Sequence, residues 1–293
     1  MSKLKALWEL MRLEHGVMIA VAILIGSVIA AQQVPSFKIF LFTFCTALFL
    51  EASTFALNDF YDIDIDKKNK RNDRPLARGD LSPKTALGLF FVLFPLGIIC
   101  SYFVNLTCFF IALITALFAI MYDVILKKIK LVGNFFIAYT MAIPFIFGGA
   151  AVLQESGVTL TLSPGVFIIT LIAFLAGSGR EIMKDVMDFS GDRQQGVTSF
   201  PTYLGIQKSQ RLAALFFIAA VILSFLPFIS PSYAIYYQNY YYLGTVLMTD
   251  CLLIYTSVVL FLREAPQLIY HRKLTLVALM IGLIAFLLGA FTG

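Results

Sequence analysis

The residues best suited to chemistry stand in two segments that look alike. One reads Asp59-Phe-Tyr-Asp62-Ile-Asp-Ile-Asp66-Lys67, the other Asp185-Val-Met-Asp188-Phe-Ser-Gly-Asp192-Arg193. Each spaces its carboxylates by three and then four residues, ends on a basic residue and follows an apolar stretch. At about 100° per residue, positions i, i+3 and i+7 of a helix fall within roughly 60° of arc. A helix continuing through each segment therefore presents three carboxylates on one face. Stacked carboxylates repel each other and are costly near lipid. A divalent cation relieves the repulsion, and hard oxygen ligands suit Mg²⁺, which takes one or two carboxylates plus substrate phosphates. One such cluster could equally be a solvated helix end. Two copies with matching spacing beside apolar stretches favour a shared chemical purpose.

Asn58 extends the first segment to Asn58, Asp62 and Asp66 at i, i+4 and i+8, where an amide can bind a metal or a phosphate oxygen, or simply cap a helix end. Asp64 lies about 160° from Asp66 on such a helix and is expected to face solvent or a basic neighbour. The run from Lys67 to Arg78 follows at once and includes Arg71 and Arg74, with Pro75 and Gly79 as turn residues. Arginine pairs bidentately with phosphate, and lysine acts as a point charge. Tyr122, Asp123, Lys127 and Lys128 end another apolar stretch. Tyr122 there is either an interfacial anchor or part of the site. Arg180 and Lys184 precede Asp188 by two turns and one turn and are expected to pair with the second cluster. Metal ions and basic residues beside a cavity describe a diphosphate site. His15 stands alone at the start of the first apolar stretch, and no Ser-His-Asp arrangement is visible.

The elements that must position these groups follow from composition. Of 293 residues 60% are hydrophobic and 13% charged, with 29 Phe and a mean hydropathy of +0.88. Soluble domains carry about 25% charged residues, and a soluble protein of this length has too little interior to hide so much apolar surface. A soluble enzyme, a disordered chain and a nucleic-acid module are excluded on that ground. Nine apolar stretches are expected as helices near 16–33, 37–57, 84–104, 107–125, 131–153, 164–182, 211–229, 240–262 and 273–292. They are helical because lipid offers no partner to unpaired backbone groups. Of the 22 basic residues, 21 fall in the N-terminal segment and the even-numbered connections, and only Lys38 falls elsewhere. The positive-inside rule then places the N-terminus and both acidic segments in the cytoplasm and the C-terminus outside.

The first segment carries no cleavage site of a signal peptide. Cys45, Cys100, Cys108 and Cys251 lie far apart in apolar runs and read as reduced packing residues. Gly148, Gly149, Gly177 and Gly179 permit close helix approach, or leave room for a long chain. The expected fold is an all-α membrane protein. Nine transmembrane helices form one bundle of two related halves with cytoplasmic helical caps and loops, a single domain over residues 1–293.

At the two acidic segments the chain resembles the UbiA superfamily of intramembrane prenyltransferases. That family's Asn-x-x-x-Asp-x-x-x-Asp motif matches Asn58, Asp62 and Asp66, and its Asp-x-x-x-Asp motif matches Asp188 and Asp192, preceded by Asp185. Residues 58–83 and 179–201 are similar to the archaeal digeranylgeranylglyceryl phosphate synthases within it, although Gln194 and Gln195 stand where basic residues often follow the second motif. The resemblance implies that Asn58, Asp62, Asp66, Asp188 and Asp192 bind Mg²⁺ bridging the diphosphate of geranylgeranyl diphosphate. It also implies that Arg71, Arg74 and Lys127 hold that diphosphate, with Asp185 and Tyr122 as catalytic candidates of second rank. The implied reaction is transfer of the prenyl group to the hydroxyl of geranylgeranylglyceryl phosphate, with prenyl diphosphate, lipid acceptor and membrane lipids as partners and no nucleic acid. Aromatic prenylation of the quinone-synthesis type is a rival on the same scaffold. A transporter is a rival of another class, since repeats and carboxylates also mark transporters, as is a non-catalytic lipid-binding scaffold.

Overall fold

The computed structural model describes residues 3–68, 71–126, 129–153, 163–194, 196–263 and 267–293, which form thirteen α-helices and no strand. Helix α1 (Lys3–Met11) meets α2 (His15–Ala31) at a 41° bend, and the two together make one apolar span. Eight further spans are α3 (Phe37–Lys68), α5 (Pro83–Val104), α6 (Leu106–Val124), α7 (Lys130–Ala151), α8 (Pro164–Gln194), α10 (Ile206–Ser224) continued by α11 (Leu226–Ile229), α12 (Tyr240–Leu262) and α13 (Leu268–Thr292). The short helices α4 (Pro75–Arg78) and α9 (Phe200–Leu204) lie in the connections after α3 and α8. Against nine expected spans, eight helices among the described residues are long and apolar enough to cross a membrane, and the bent α1–α2 pair makes the ninth when counted as one.

Two of them run past their expected ends. α3 has 32 residues and α8 has 31. At 1.5 Å rise each is about 45–48 Å long, well beyond a hydrocarbon core of about 30 Å. The surplus carries both acidic segments as helix. Lys67 and Lys68 close α3 and Arg193 closes α8, cations that suit the negative end of the helix dipole.

α2 packs on α7, α7 on α8, α8 on α10, α10 on α12, α12 on α13, and α13 back on α2, so these helices close a ring. α3, α5 and α6 pack together against its α2–α7 side. Between α2 and α7 the backbones touch. A Cβ at Gly26 would strike the Phe145 carbonyl and one at Gly148 the Ile23 carbonyl, while the Ser27 hydroxyl donates to the Gly148 carbonyl at 2.9 Å. This is the small-residue packing that replaces hydrophobic drive inside lipid. Asn105 joins two spans. Its Oδ1 caps α6 by accepting from the Cys108 N–H at 2.8 Å, and its Nδ2 donates to the Ala150 carbonyl at the end of α7, 2.9 Å away. Large apolar residues such as Phe91, Phe103, Leu117, Phe167 and Ile222 point outward, as lipid-facing positions should. The four cysteines are free thiols.

Candidate active site

At the end of α3, Asp59 is buried and ties three elements together. Its Oδ1 accepts from Arg12 Nη2 at the α1–α2 bend and from Arg74 Nη1 just before α4, both at 2.8 Å. Its Oδ2 is buried without a hydrogen-bond partner. Arg12 also lies 4.0 Å above the Phe55 ring. The Arg74 Nε is 3.9 Å from Asp66 Oδ2. Asn58 does not stand beside Asp62 as a free ligand: its Nδ2 donates to Asp123 Oδ1 of α6 at 2.7 Å. Asp64 is exposed, as its register requires.

Of the two arginines expected to hold diphosphate, Arg74 is shared between Asp59 and Asp66, and Arg71 forks onto Asp73 at 2.8 and 2.7 Å. That fork raises the Arg71 pKa above the ordinary arginine range and lowers that of Asp73. Arg78 fastens the same loop to α1 through Glu9 at 2.6 Å and to Asp80 at 2.7 Å. Lys127 lies outside the described residues.

On α8, Glu181 precedes the expected acidic segment by one turn and is buried, so the acidic stripe runs Glu181, Asp185, Asp188, Asp192. Lys130, at the start of α7, closes on the stripe: its Nζ donates to both Asp192 oxygens at 2.9 Å and sits 3.6 Å from Asp185 and 4.0 Å from Asp188. Asn134, one turn further on, donates to Asp185 at 2.6 Å. Asp188 itself is half exposed. Arg180 and Lys184 do not pair with it; they share Glu181 at 3.5 and 3.0 Å. The buried carboxylate attracts them more strongly than one facing solvent, because charges interact more steeply away from water.

Tyr122 stands between the clusters. Its ring packs against Phe136, 5.4 Å away, and against Gly133, where a Cβ would press on it. The charges of Glu181 and Asp185 act on it from α8, and those of Asp62 and Asp123 from α3 and α6. α7 packs on both α3 and α8, and a parallel bridge between Ile129 and Thr198 ties together the connections that follow α6 and α8. Charges of both acidic segments thus reach Tyr122. Arg12, Asp123, Lys130, Asn134 and Glu181 pair with or extend these segments, and spacing alone did not single these out. Only Glu181, at i−4 from Asp185, carried a local signal.

Among the described residues no three acidic, histidine or cysteine side chains stand close enough to share one metal ion. The donor chemistry nevertheless fits Mg²⁺: the motif residues offer hard oxygens, one buried Asp59 oxygen is unpartnered, and on α8 three aspartates gather around Lys130. A site with surplus negative charge beside arginines and lysines can hold a cation and, through it, a diphosphate.

The family described as UbiA prenyltransferases matches residues 19–279. The chain is 39% identical to the digeranylgeranylglyceryl phosphate synthase of Archaeoglobus fulgidus over 98% of its own length and 96% of that protein. With the synthase of the same name from Pyrococcus furiosus it shares 31% identity over 99% of both chains. A solved structure of digeranylgeranylglyceryl phosphate synthase superposes with a TM-score of 0.79 at 33% identity, covering 99% of each chain. A UbiA homologue from Archaeoglobus fulgidus bound to DMAPP and Mg²⁺ has the same fold, with a TM-score of 0.60 at 17% identity over 96% of this chain and 98% of that one.

Proposed function

This chain belongs to the UbiA prenyltransferase family and is a membrane prenyltransferase; from that premise we propose that it transfers a geranylgeranyl group from geranylgeranyl diphosphate to the free hydroxyl of geranylgeranylglyceryl phosphate. The observation that carries the acceptor assignment is identity of 39% along nearly the whole chain to a digeranylgeranylglyceryl phosphate synthase. The reach of charges from both acidic segments to Tyr122 supports the chemistry.

Asn58, Asp62, Asp66, Asp188 and Asp192 would hold Mg²⁺, which when bound neutralises charge on the leaving diphosphate. We assign Arg71 and Arg74, on the connection after α3, and Lys127, between α6 and α7 in sequence, to the diphosphate oxygens. Arg74 would exchange its carboxylate partners for the substrate. As the allylic C–O bond breaks, its electron pair leaves with the diphosphate, and fixed cations aimed there stabilise the developing charge. The acceptor hydroxyl then forms the new C–O bond to the allylic carbon and gives up its proton to the departed diphosphate. We assign Tyr122, on which charges of both clusters act, and Asp185, held by Asn134, to contact with the cation or the acceptor. The surrounding apolar side chains keep water from the cation. We assign this site to the cytoplasmic face, a reading supported by the 21 basic residues of the N-terminal segment and even-numbered connections.

The test is mass spectrometry of products from purified protein given geranylgeranyl diphosphate with either geranylgeranylglyceryl phosphate or 4-hydroxybenzoate. A doubly prenylated glyceryl phosphate is expected. A prenylated benzoate alone would move the enzyme to the aromatic class.

A further inference from the structure

Beside the acidic stripe of α8, and offset from it by one residue, runs a second stripe of opposite sign. Arg180 is largely buried, with its side chain 14% exposed. Lys184, one turn on, is 41% exposed. Both reach for Glu181, whose two oxygens they divide at 3.5 and 3.0 Å. Arg272 of α13 is close enough for its charge to act on Arg180 as well. Two cations therefore divide one carboxylate, and the charge of a third bears on Arg180. The Arg180 Nε is buried and makes no hydrogen bond at all. A guanidinium desolvated to this degree and left short of partners is costly. An arriving anion removes that cost.

The backbone here is held rigidly. A Cβ on the preceding residue, Gly179, would press within 2.9 Å of the Ala213 carbonyl and the Phe217 ring, so α8 and α10 are in close contact at this turn. The cationic group also borders the reacting centre, because Glu181 is one of the carboxylates whose charge acts on Tyr122. An anion bound at Arg180 thus lies beside Glu181, whereas Lys130 is the cation closed on Asp185, Asp188 and Asp192.

We propose that Arg180, with Lys184 and Arg272, receives the phosphate monoester of the lipid acceptor. The assignment rests on the acceptor read in the preceding section. In a glyceryl phosphate the free hydroxyl is no more than two carbons from the carbon bearing phosphate. Anchoring the phosphate at Arg180 therefore holds that hydroxyl near Tyr122 while the diphosphate occupies the other stripe. Two anionic substrates are kept apart because each has its own cations.

Initial rates of detergent-purified protein, with each substrate varied in turn, test this. Arg180→Gln should raise KM for geranylgeranylglyceryl phosphate by about tenfold or more, the size expected for one lost charge-assisted hydrogen bond. KM for geranylgeranyl diphosphate should stay within about twofold, and Arg180→Lys should recover part of the loss. Geranylgeranylglycerol, which has no phosphate, should be used equally poorly by wild type and Arg180→Gln. An equal rise in both KM values, no rise in either, or an equal loss with the phosphate-free acceptor overturns the assignment. Should Arg180→Gln fail to fold, Lys184→Gln, at a half-exposed position, is read in the same way with an expected rise of about threefold. Retention of phosphatidylglycerol, followed by native mass spectrometry, separates a bilayer headgroup from the acceptor. Loss of that lipid in the variant with acceptor KM unmoved assigns the cations to the bilayer and overturns the proposal. A wild-type protein inactive toward the lipid acceptor overturns the substrate reading itself, whereas an active one indifferent to Arg180 overturns this inference alone.

Discussion

Asp59 and Lys130 do corresponding work at the two ends of the site. Asp59 binds two arginines through one oxygen, and Lys130 spans three aspartates of α8. Removing one member of a buried pair leaves its partners desolvated and unmatched. Asp59→Ala should therefore cost about 3–5 kcal/mol, seen as a lowered midpoint in thermal unfolding, whereas Arg12→Gln should cost less because Arg74 stays in place. Lys130→Met should leave three aspartates without their cation. Its melting midpoint in chelator should fall below that of wild type, and added Mg²⁺ should raise it by more than it raises wild type, since a ligand of the folded state stabilises by mass action. In the loop after α3, the Asp73 pKa is lowered below the ordinary 3.8 by Arg71. A carboxylate whose folded pKa is depressed lends stability above its unfolded pKa and loses it as pH falls through the folded one. Hydrogen exchange across residues 71–82 should therefore stay slow at neutral pH and quicken below pH 3.8. The motif aspartates were legible because helical spacing puts them on one face. Arg12, Asp123, Lys130 and Asn134 were not, because their partners lie 47 to 65 residues away and only the packing of helices brings them together.

The decisive elements are the extensions of α3 and α8. Hydropathy ends these spans near residues 57 and 182, whereas the helices run on to Lys68 and Gln194. The expected acidic faces anticipated that continuation, because only unbroken helix aligns residues spaced by three and four. Ile65 is exposed in the α3 extension, so Ile65→Pro removes a backbone hydrogen bond without disturbing the core. It should abolish turnover with little change in helical content by circular dichroism, while Ile65→Ala keeps activity. Equal activity in both would mean that the helical register there is dispensable. Deeper in the bundle, the Gly26 and Gly148 contact fixes α2 against α7. Gly148→Val should cost about 1–3 kcal/mol through forced separation of the helices. The glycines were visible in the sequence as close-approach sites, but which helix each would meet was not, because small residues carry no partner code.

At the scale of the molecule, helices close a ring with three more packed on one side. From the charge count across the connections we propose that both acidic ends face the cytoplasm. A cysteine placed at Gly293 in a background lacking the four native cysteines should react with an impermeant maleimide on intact cells, and one placed at Ser82 should react only after lysis. The span count was readable because apolar length and basic loops are one-dimensional properties. The order in which helices pack was not, since an outward-facing Phe and an inward-facing Phe read the same in sequence. The most direct measurement is product formation by detergent-purified wild type, Asp62→Asn and Asp188→Asn, each with Mg²⁺ and with chelator. The expected outcome is product only from wild type with Mg²⁺, with both variants still folded and at least about 100-fold slower. Near-normal, Mg²⁺-indifferent turnover in either variant would contradict the joint action of the two acidic helices.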